Sequence, residues 1–445
     1  MRDLSKLIKA YDIRGLVGEE IDADFVRDVG AAFALLVGTT VAIVHDMRPS
    51  SEPFARAFAD GVTSQGQDVI HCGLGSTDLV YYAAGHLNVA GAVITASHNP
   101  ARYNGIKLCK PGAAPVGQDT GLAEIRKTLE SGIPTYLGEP GTITRRDLAH
   151  EYAAYLRELV DLSRIRPLRV AVDAANGMGG HMVPIVFEGL PLEVVPLYFE
   201  LDGTFPNHEA NPLDPANLVD LQRKVREVGA DIGLAFDGDA DRCFVVDETG
   251  EPVSPSAIVA LIATRELAKS PGASIVYNVI TSRAVSEIVT EHGGAPARTR
   301  VGHTFMKSLM AEQDAVFGGE HSGHYYFRDF WRADTGMLAA LHVLAALGST
   351  GNPLSGLVAE YSRYVASGEI NSEVADVAAT LAAIEKHFDG AETDRLDGLT
   401  VQLGDGAWFN LRPSNTEPLL RLNVEASDIE TMARIRDNVL ALVRR

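Results

Sequence analysis

Ile232-Gly-Leu-Ala-Phe236 runs directly into Asp237-Gly-Asp-Ala-Asp-Arg242, an apolar run that stops abruptly in a polar loop. So short a run, followed by the apolar Cys243–Val246, suits buried strands rather than helices. The pattern occurs twice more, where Ala92-Val-Ile-Thr95 precedes Ser97-His-Asn-Pro100 and Ala315-Val-Phe317 precedes Glu320-His-Ser-Gly-His324. Upstream of the three loops lie β-branched runs ending in Asp or Asn: Val41-Ala-Ile-Val-His-Asp46, Val170-Ala-Val-Asp173 and Ile275-Val-Tyr-Asn278. Each reads as the first strand of an α/β unit, and together they suggest an internal repeat, with chance similarity among buried strands as the alternative.

Ligands of parallel α/β sheets sit beyond the carboxyl ends of the strands, so three related domains would aim these loops into a common central cleft. Helical spacing in Leu148–Leu159 before Arg166-Pro167 places a join near residue 150, and the turn Glu248–Pro255 places another near 254. A third falls near Ser367-Gly368. The tail, with strand-like Leu399–Leu403 and Trp408–Leu411, a Pro-containing loop and a helix from about Ser427, reads as a smaller α+β domain. The expected fold is thus α/β, with domains at 1–150, 151–254, 255–367 and 368–445.

A chain of 445 residues is long enough for several domains at about 150 residues each. Its 39 Lys and Arg against 59 Asp and Glu give a formal charge of −20, which disfavours nucleic acid and anionic membranes and requires a local basic cluster for any anionic substrate. Cys72, Cys109 and Cys243 show no metal-ligand spacing and fit a reducing compartment. No cationic leader opens the chain, and the apolar runs Ala31–Val37 and Leu338–Leu347 are too short to span a bilayer, so a cytoplasmic protein is expected.

Asp237, Asp239 and Asp241 alternate in one loop and can surround a divalent cation with hard oxygen ligands. A helix-loop-helix calcium site is excluded, because Arg242 stands where Gly is required and Val245 at a liganding position. A strand-flanked magnesium site remains, with Arg242 as counterion and phosphate ligand; a solvated acidic turn is the plain alternative. Ser97 is expected to be exposed at a strand end, where a serine either caps a turn or, beside a cation and a base, carries a phosphoryl group. Arg412-Pro-Ser-Asn-Thr-Glu-Pro418 joins a guanidinium to Ser414 and Thr416 hydroxyls and the Asn415 amide, as in a phosphate cradle or a polar turn. Glu320, Ser322 and His324 suit sugar hydroxyls and proton transfer, and Lys107 and Lys307 add cations.

In order along nearly the whole chain, from Tyr11-Asp-Ile-Arg-Gly15 to Pro418, these loops resemble the α-D-phosphohexomutase family. The resemblance implies four domains, the last TATA-binding-protein-like, and a hexose 1,6-bisphosphate intermediate that also serves as activator. It implies Ser97 as phosphoryl carrier, and Asp237, Asp239 and Asp241 with a Ser97 phosphate oxygen as Mg2+ ligands. Lys107 and His324 would do acid–base work, with Arg14 and His98 beside the phosphoserine. Glu320, Ser322, Gly302 and His303 would hold the sugar, and Arg412, Ser414, Asn415, Thr416 and Arg421 the phosphate not being transferred. Asn415 and His321 look like the phosphomannomutase/phosphoglucomutase branch rather than the phosphoglucosamine branch. Arg102 departs from the acidic residue usual in relatives. The oligomeric state is open, and a hydrolase or a non-catalytic phosphosugar-binding protein would be the reading from another class.

Overall fold

A computed structural model of the protein describes residues 3–413 and 419–444. The chain forms two compact units, residues 1–253 with 322–355 and residues 254–321 with 356–445.

In the first unit the strand Val41–His45 lies between Val69–Leu74 and Ala90–Ile94 and runs parallel to both. Ala90–Ile94 then pairs antiparallel with Tyr103–Lys110, and Ile13–Leu16 joins beyond it. The same plan recurs when Leu168–Asp173 lies parallel between Leu192–Leu197 and Ile232–Phe236, and Ile232–Phe236 pairs antiparallel with Cys243–Val246. Two loops therefore hold equivalent places, each leaving the carboxyl end of a parallel strand and returning in an antiparallel one. Every residue of Val41–His45, Ala90–Ile94 and Ile232–Phe236 is buried, which is why these strands read as unbroken apolar runs. The helices Ala23–Val37 and Ser51–Ser64 meet backbone to backbone at Gly30 and Gly61, where a Cβ would lie 2.3 and 1.9 Å from a carbonyl oxygen of the opposite helix. The chain's most apolar run forms the buried helix Gly336–Gly348.

In the second unit Ser274–Asn278 lies parallel between Ala295–Thr299 and Phe317–Gly319, the third appearance of the plan. The last of these strands begins at Phe317, not at Ala315. Farther along, Leu419–Ala426 pairs antiparallel with Ile370–Glu373 and Trp408–Pro413, and Trp408–Pro413 with Leu399–Gln402. The helices Val377–His387 and Ile429–Val443 share with this sheet a core that includes Leu381, Phe409, Leu422 and Val439.

The turn expected over 248–255 contains a short strand, Pro252–Val253, paired antiparallel with Cys243–Val246. Tyr103–Lys110, which carries Lys107, is a full strand whose mixed polarity hid it from an apolar-run reading. Among the described residues no helix is long and apolar enough to cross a membrane.

Candidate active site

In the first unit the two equivalent loops face each other. Ser97 has φ +50°, and its amide is held by Thr95 Oγ1 at 2.9 Å. Its Oγ donates to Asp237 Oδ2 at 2.9 Å and lies 3.3 Å from His98 Nδ1. The expectation that Ser97 is exposed is corrected: it is only 5% exposed, because the Asp237 loop covers it. A Cβ on Gly238 would lie 2.5 Å from the Ser97 carbonyl oxygen, so this close approach requires glycine. Burial, with Arg242 and Arg14 nearby, holds His98 well below its ordinary pKa and leaves the ring neutral near pH 7.

Carboxylate oxygens of Asp237, Asp239 and Asp241 all lie within 4.8 Å of one another, and all three residues are buried. Arg242 Nη2 pairs with Asp237 Oδ2 at 2.9 Å, and Lys107 Nζ with Asp239 Oδ2 at 2.7 Å and Asp241 Oδ2 at 2.6 Å. Two cations thus face three carboxylates. Burial and the neighbouring acids push Asp237 upward against the pull of Arg242, whereas at Asp239 the Lys107 ammonium overrides burial and holds the acid down. Burial acts to lower Lys107, but its two partners, Asp239 and Asp241, raise it. Asp239 Oδ1 and Asp241 Oδ1 are buried with no hydrogen-bond donor among the described residues. A surplus carboxylate and two unbonded buried oxygens fit a hard divalent cation.

His324 reaches this loop too, with Ser322 bonded to its ring. Arg242 and His324 form an isolated antiparallel bridge, His324 Nε2 lies 3.8 Å from Asp241 Oδ1, and its Nδ1 lies 2.9 Å from Ser322 Oγ. Arg14 donates to Asn99 Oδ1 of the Ser97 loop and to Asp12 Oδ2. Arg102 lies outside this cluster, exposed over the Tyr103 ring.

In the second unit Glu320 follows the strand Phe317–Gly319, and its Oε1 accepts from Asn278 Nδ2 at 2.8 Å and the Gly302 amide at 3.3 Å. Gly302 has φ +134°, and His303 opens the helix His303–Glu312, in which Lys307 is buried. Arg412 and Arg421 stand opposite each other in paired strands. Glu369 bridges them, with Oε2 3.2 Å from Arg412 Nη2 and Oε1 3.3 Å from Arg421 Nη1. Ser414, Asn415 and Thr416 lie outside the described residues.

Three contributors escaped the sequence reading. Thr77, first residue of the helix Thr77–His86, donates its Oγ1 to Asp239 Oδ2 at 2.6 Å, and its amide bonds the Asp239 carbonyl at 3.0 Å. Arg48 holds the Ser97 loop by its backbone, and Glu369 spans the two arginines. Only Arg48 left a trace, two residues beyond the strand run ending at Asp46.

Family models described as phosphoglucomutase/phosphomannomutase match in order: alpha/beta/alpha domain I over residues 5–134, domain II over 150–250, domain III over 254–364 and the C-terminal domain over 369–442. A phosphomannomutase of Salmonella typhimurium is 40% identical over 98% of both chains. A Xanthomonas campestris protein named for phosphohexose mutases is 41% identical over 97% of this chain and 98% of its own. The crystal structure of a phosphoglucomutase/phosphomannomutase family protein from Burkholderia thailandensis superposes with a TM-score of 0.90 at 34% identity, covering 100% of this chain and 98% of that one.

Proposed function

Because the chain belongs to the phosphoglucomutase/phosphomannomutase family, and is therefore an isomerase of the intramolecular phosphotransferase kind, we propose that it is a phosphomannomutase that also accepts glucose phosphates, with Ser97 as its phosphoryl carrier. The observation that supports this best is Ser97 Oγ bonded to Asp237, inside a cluster with a surplus of carboxylate.

In the proposed cycle a hydroxyl of the hexose monophosphate attacks phosphorus on phospho-Ser97 and gives up its proton to a base, while the bond between phosphorus and Ser97 Oγ breaks and an acid returns a proton to the serine oxygen. A hexose 1,6-bisphosphate results. It turns end for end and returns its other phosphoryl group to Ser97, so the enzyme ends as it began. Lys107 and His324 share the acid–base work, and Arg14 and His98 line the serine side. Asp237, Asp239 and Asp241, with an oxygen on Ser97, would hold Mg2+, which neutralises charge on the transferring group when bound. Arg242 remains a counterion to this loop and a phosphate ligand.

Glu320 and Ser322 would hold sugar hydroxyls beside Gly302 and His303, and Arg412 and Arg421, with Ser414, Asn415 and Thr416, the phosphate at rest. Residues 1–150, 151–254, 255–367 and 368–445 would then be the phosphoserine, metal, sugar and phosphate domains. Free bisphosphate would be the activator that charges Ser97, and the cytoplasm the place of work.

Ser97→Ala tests the carrier. It should lose mutase turnover while still binding sugar phosphate; near-normal turnover in a preparation free of wild-type enzyme sinks the scheme.

A further inference from the structure

We infer that Arg48 is a positioning residue for phosphoryl transfer, holding the backbone of the Ser97 loop so that the serine oxygen keeps its place whether or not it carries phosphate. This rests on Ser97 being the carrier. Arg48 follows the strand Val41–His45, and its side chain and that of Asp46 are wholly buried. Its Nε donates to Asp46 Oδ2 at 3.2 Å. Nη1 donates to the Pro100 and Tyr103 carbonyls, each at 3.0 Å, and Nη2 to the Ser97 and Asn99 carbonyls at 2.8 and 2.7 Å.

The planar fork of N–H donors is therefore fully used, three of its bonds on the Ser97 loop and a fourth on Tyr103, where the next strand begins. The Phe205 ring lies 5.0 Å from the guanidinium carbon, and Asp46 is itself fixed by Ser51 Oγ at 2.5 Å. Behind the Ser97 carbonyl the way is closed, since Gly238 packs against the same oxygen.

A structural arginine need only neutralise its partner, and Asp46 alone would satisfy that. The four carbonyl bonds do something else, because they define where a turn with φ +50° at Ser97 sits in front of the metal loop. A turn of this kind has no regular ladder to hold it, and its central side chain must alternate between a hydroxyl and a bulky dianion. Arg48 is paired with a carboxylate and its donors are all engaged, so it does not bind substrate. Its contribution is to orientation, the part of catalysis most sensitive to displacements near 1 Å.

Arg48→Lys keeps the charge facing Asp46 but not the fork. The variant and wild type should be compared for thermal stability, kcat, KM for mannose 1-phosphate, and phosphoryl content by intact mass after exposure to glucose 1,6-bisphosphate. The expected result is a folded protein whose kcat falls about 10²-fold while KM stays within about threefold. Phe205→Leu frees one face of the guanidinium, should fold in any case, and is expected to lower kcat about threefold or more at unchanged KM. Wild-type kcat in folded Arg48→Lys, or unchanged kcat in Phe205→Leu if the lysine variant does not fold, overturns the inference. Absence of a phosphoryl group on wild-type Ser97 overturns the carrier reading and this one with it. Phosphorylated wild type with an unimpaired variant overturns only the role of Arg48.

Discussion

Ser97 Oγ donates a hydrogen bond to Asp237 Oδ2 across 2.9 Å, joining two loops that lie 140 residues apart in the chain. The carbonyl of the same serine touches Gly238, so hydroxyl and backbone are both held by the acidic loop. This contact brings the proposed carrier to a place where two cations face three carboxylates.

Such an imbalance should be relieved by a divalent cation, which predicts that chelation abolishes turnover and that Mg2+ restores it. Binding should also register without turnover. At a Mg2+ concentration about 100 times Kd, linkage stabilises the fold by about 2.7 kcal/mol, visible as a rise in Tm. Asp239→Asn should show neither the rise nor the restored activity. Full activity in chelator, or an equal rise of Tm in the variant, would remove the site.

How much of this was legible in sequence depends on the kind of contact. Ala92–Thr95 and Ile232–Phe236 announced themselves because a buried strand that ends at a functional loop changes polarity within a residue. Asp237, Asp239 and Asp241 were legible because the ligands are adjacent in sequence. Arg48 was not: its partners are carbonyl oxygens 49 to 55 residues away, and a backbone acceptor leaves no mark on residue type. Thr77 reads as the start of a helix, and its bond to Asp239 spans 162 residues. The error over Ser97 has the same source, since the loop that buries it comes from the next repeat and a local reading sees only a polar turn.

Arg412 and Arg421 present like charges at directly opposed positions of an antiparallel pair, an arrangement that costs stability unless an anion lies between them. Glu369 supplies one such anion. If the resting phosphate of the substrate is a second, Arg412→Ala should weaken its binding by about 1.5–3 kcal/mol, the range for a hydrogen bond to a charged group. That is roughly 10- to 150-fold in affinity for hexose phosphate. Phosphorylation of Ser97 by bisphosphate should persist in the variant. Unchanged KM and kcat would reduce the strand pair to a structural feature.

His208 Nε2 lies 3.0 Å from Asp173 Oδ2, and the Tyr198 ring stands edge-on to the imidazole at 5.4 Å. Burial acts to lower the His208 pKa, but the bond to Asp173 and its charge, helped by Asp220, raise it above the ordinary 6.5. The folded protein therefore binds this proton more tightly than the unfolded chain does. The stabilisation is complete below pH 6.5 and is lost as pH rises through the higher folded value. Wild type should exceed His208→Gln in Tm at about pH 6, with the gap closing by about pH 9. A gap that stays level or widens with pH would show that the pair contributes no proton-linked stability.

Substrate choice follows from the need to bind one bisphosphate in two opposite orientations. A site of that kind should grip hydroxyls that occupy similar places after the turn, and O3 and O4 are the natural pair for Glu320 and Ser322. Mannose and glucose are identical at both. They differ in the direction of the C2 hydroxyl, and the group proposed to sense it is the Gly302-His303 turn, in which the Gly302 amide is bonded to the Glu320 carboxylate. A single neutral hydrogen bond contributes about 0.5–1.5 kcal/mol, so the preference between the two sugars should be roughly tenfold or less. Stricter selection would require a built clash. Should Lys107, Lys307 or His303 line the pocket, an amine at C2 would bring a cation toward a like charge, and that disfavours it more than a misplaced hydroxyl does. Turnover with mannose, glucose and glucosamine 1-phosphates, each primed with a trace of bisphosphate, should give kcat/KM for the first two within about two decades, with the third lowest. If glucosamine 1-phosphate proves the best of the three, the substrate branch read from Asn415 and His321 is wrong, while the carrier serine and the acidic loop keep their roles.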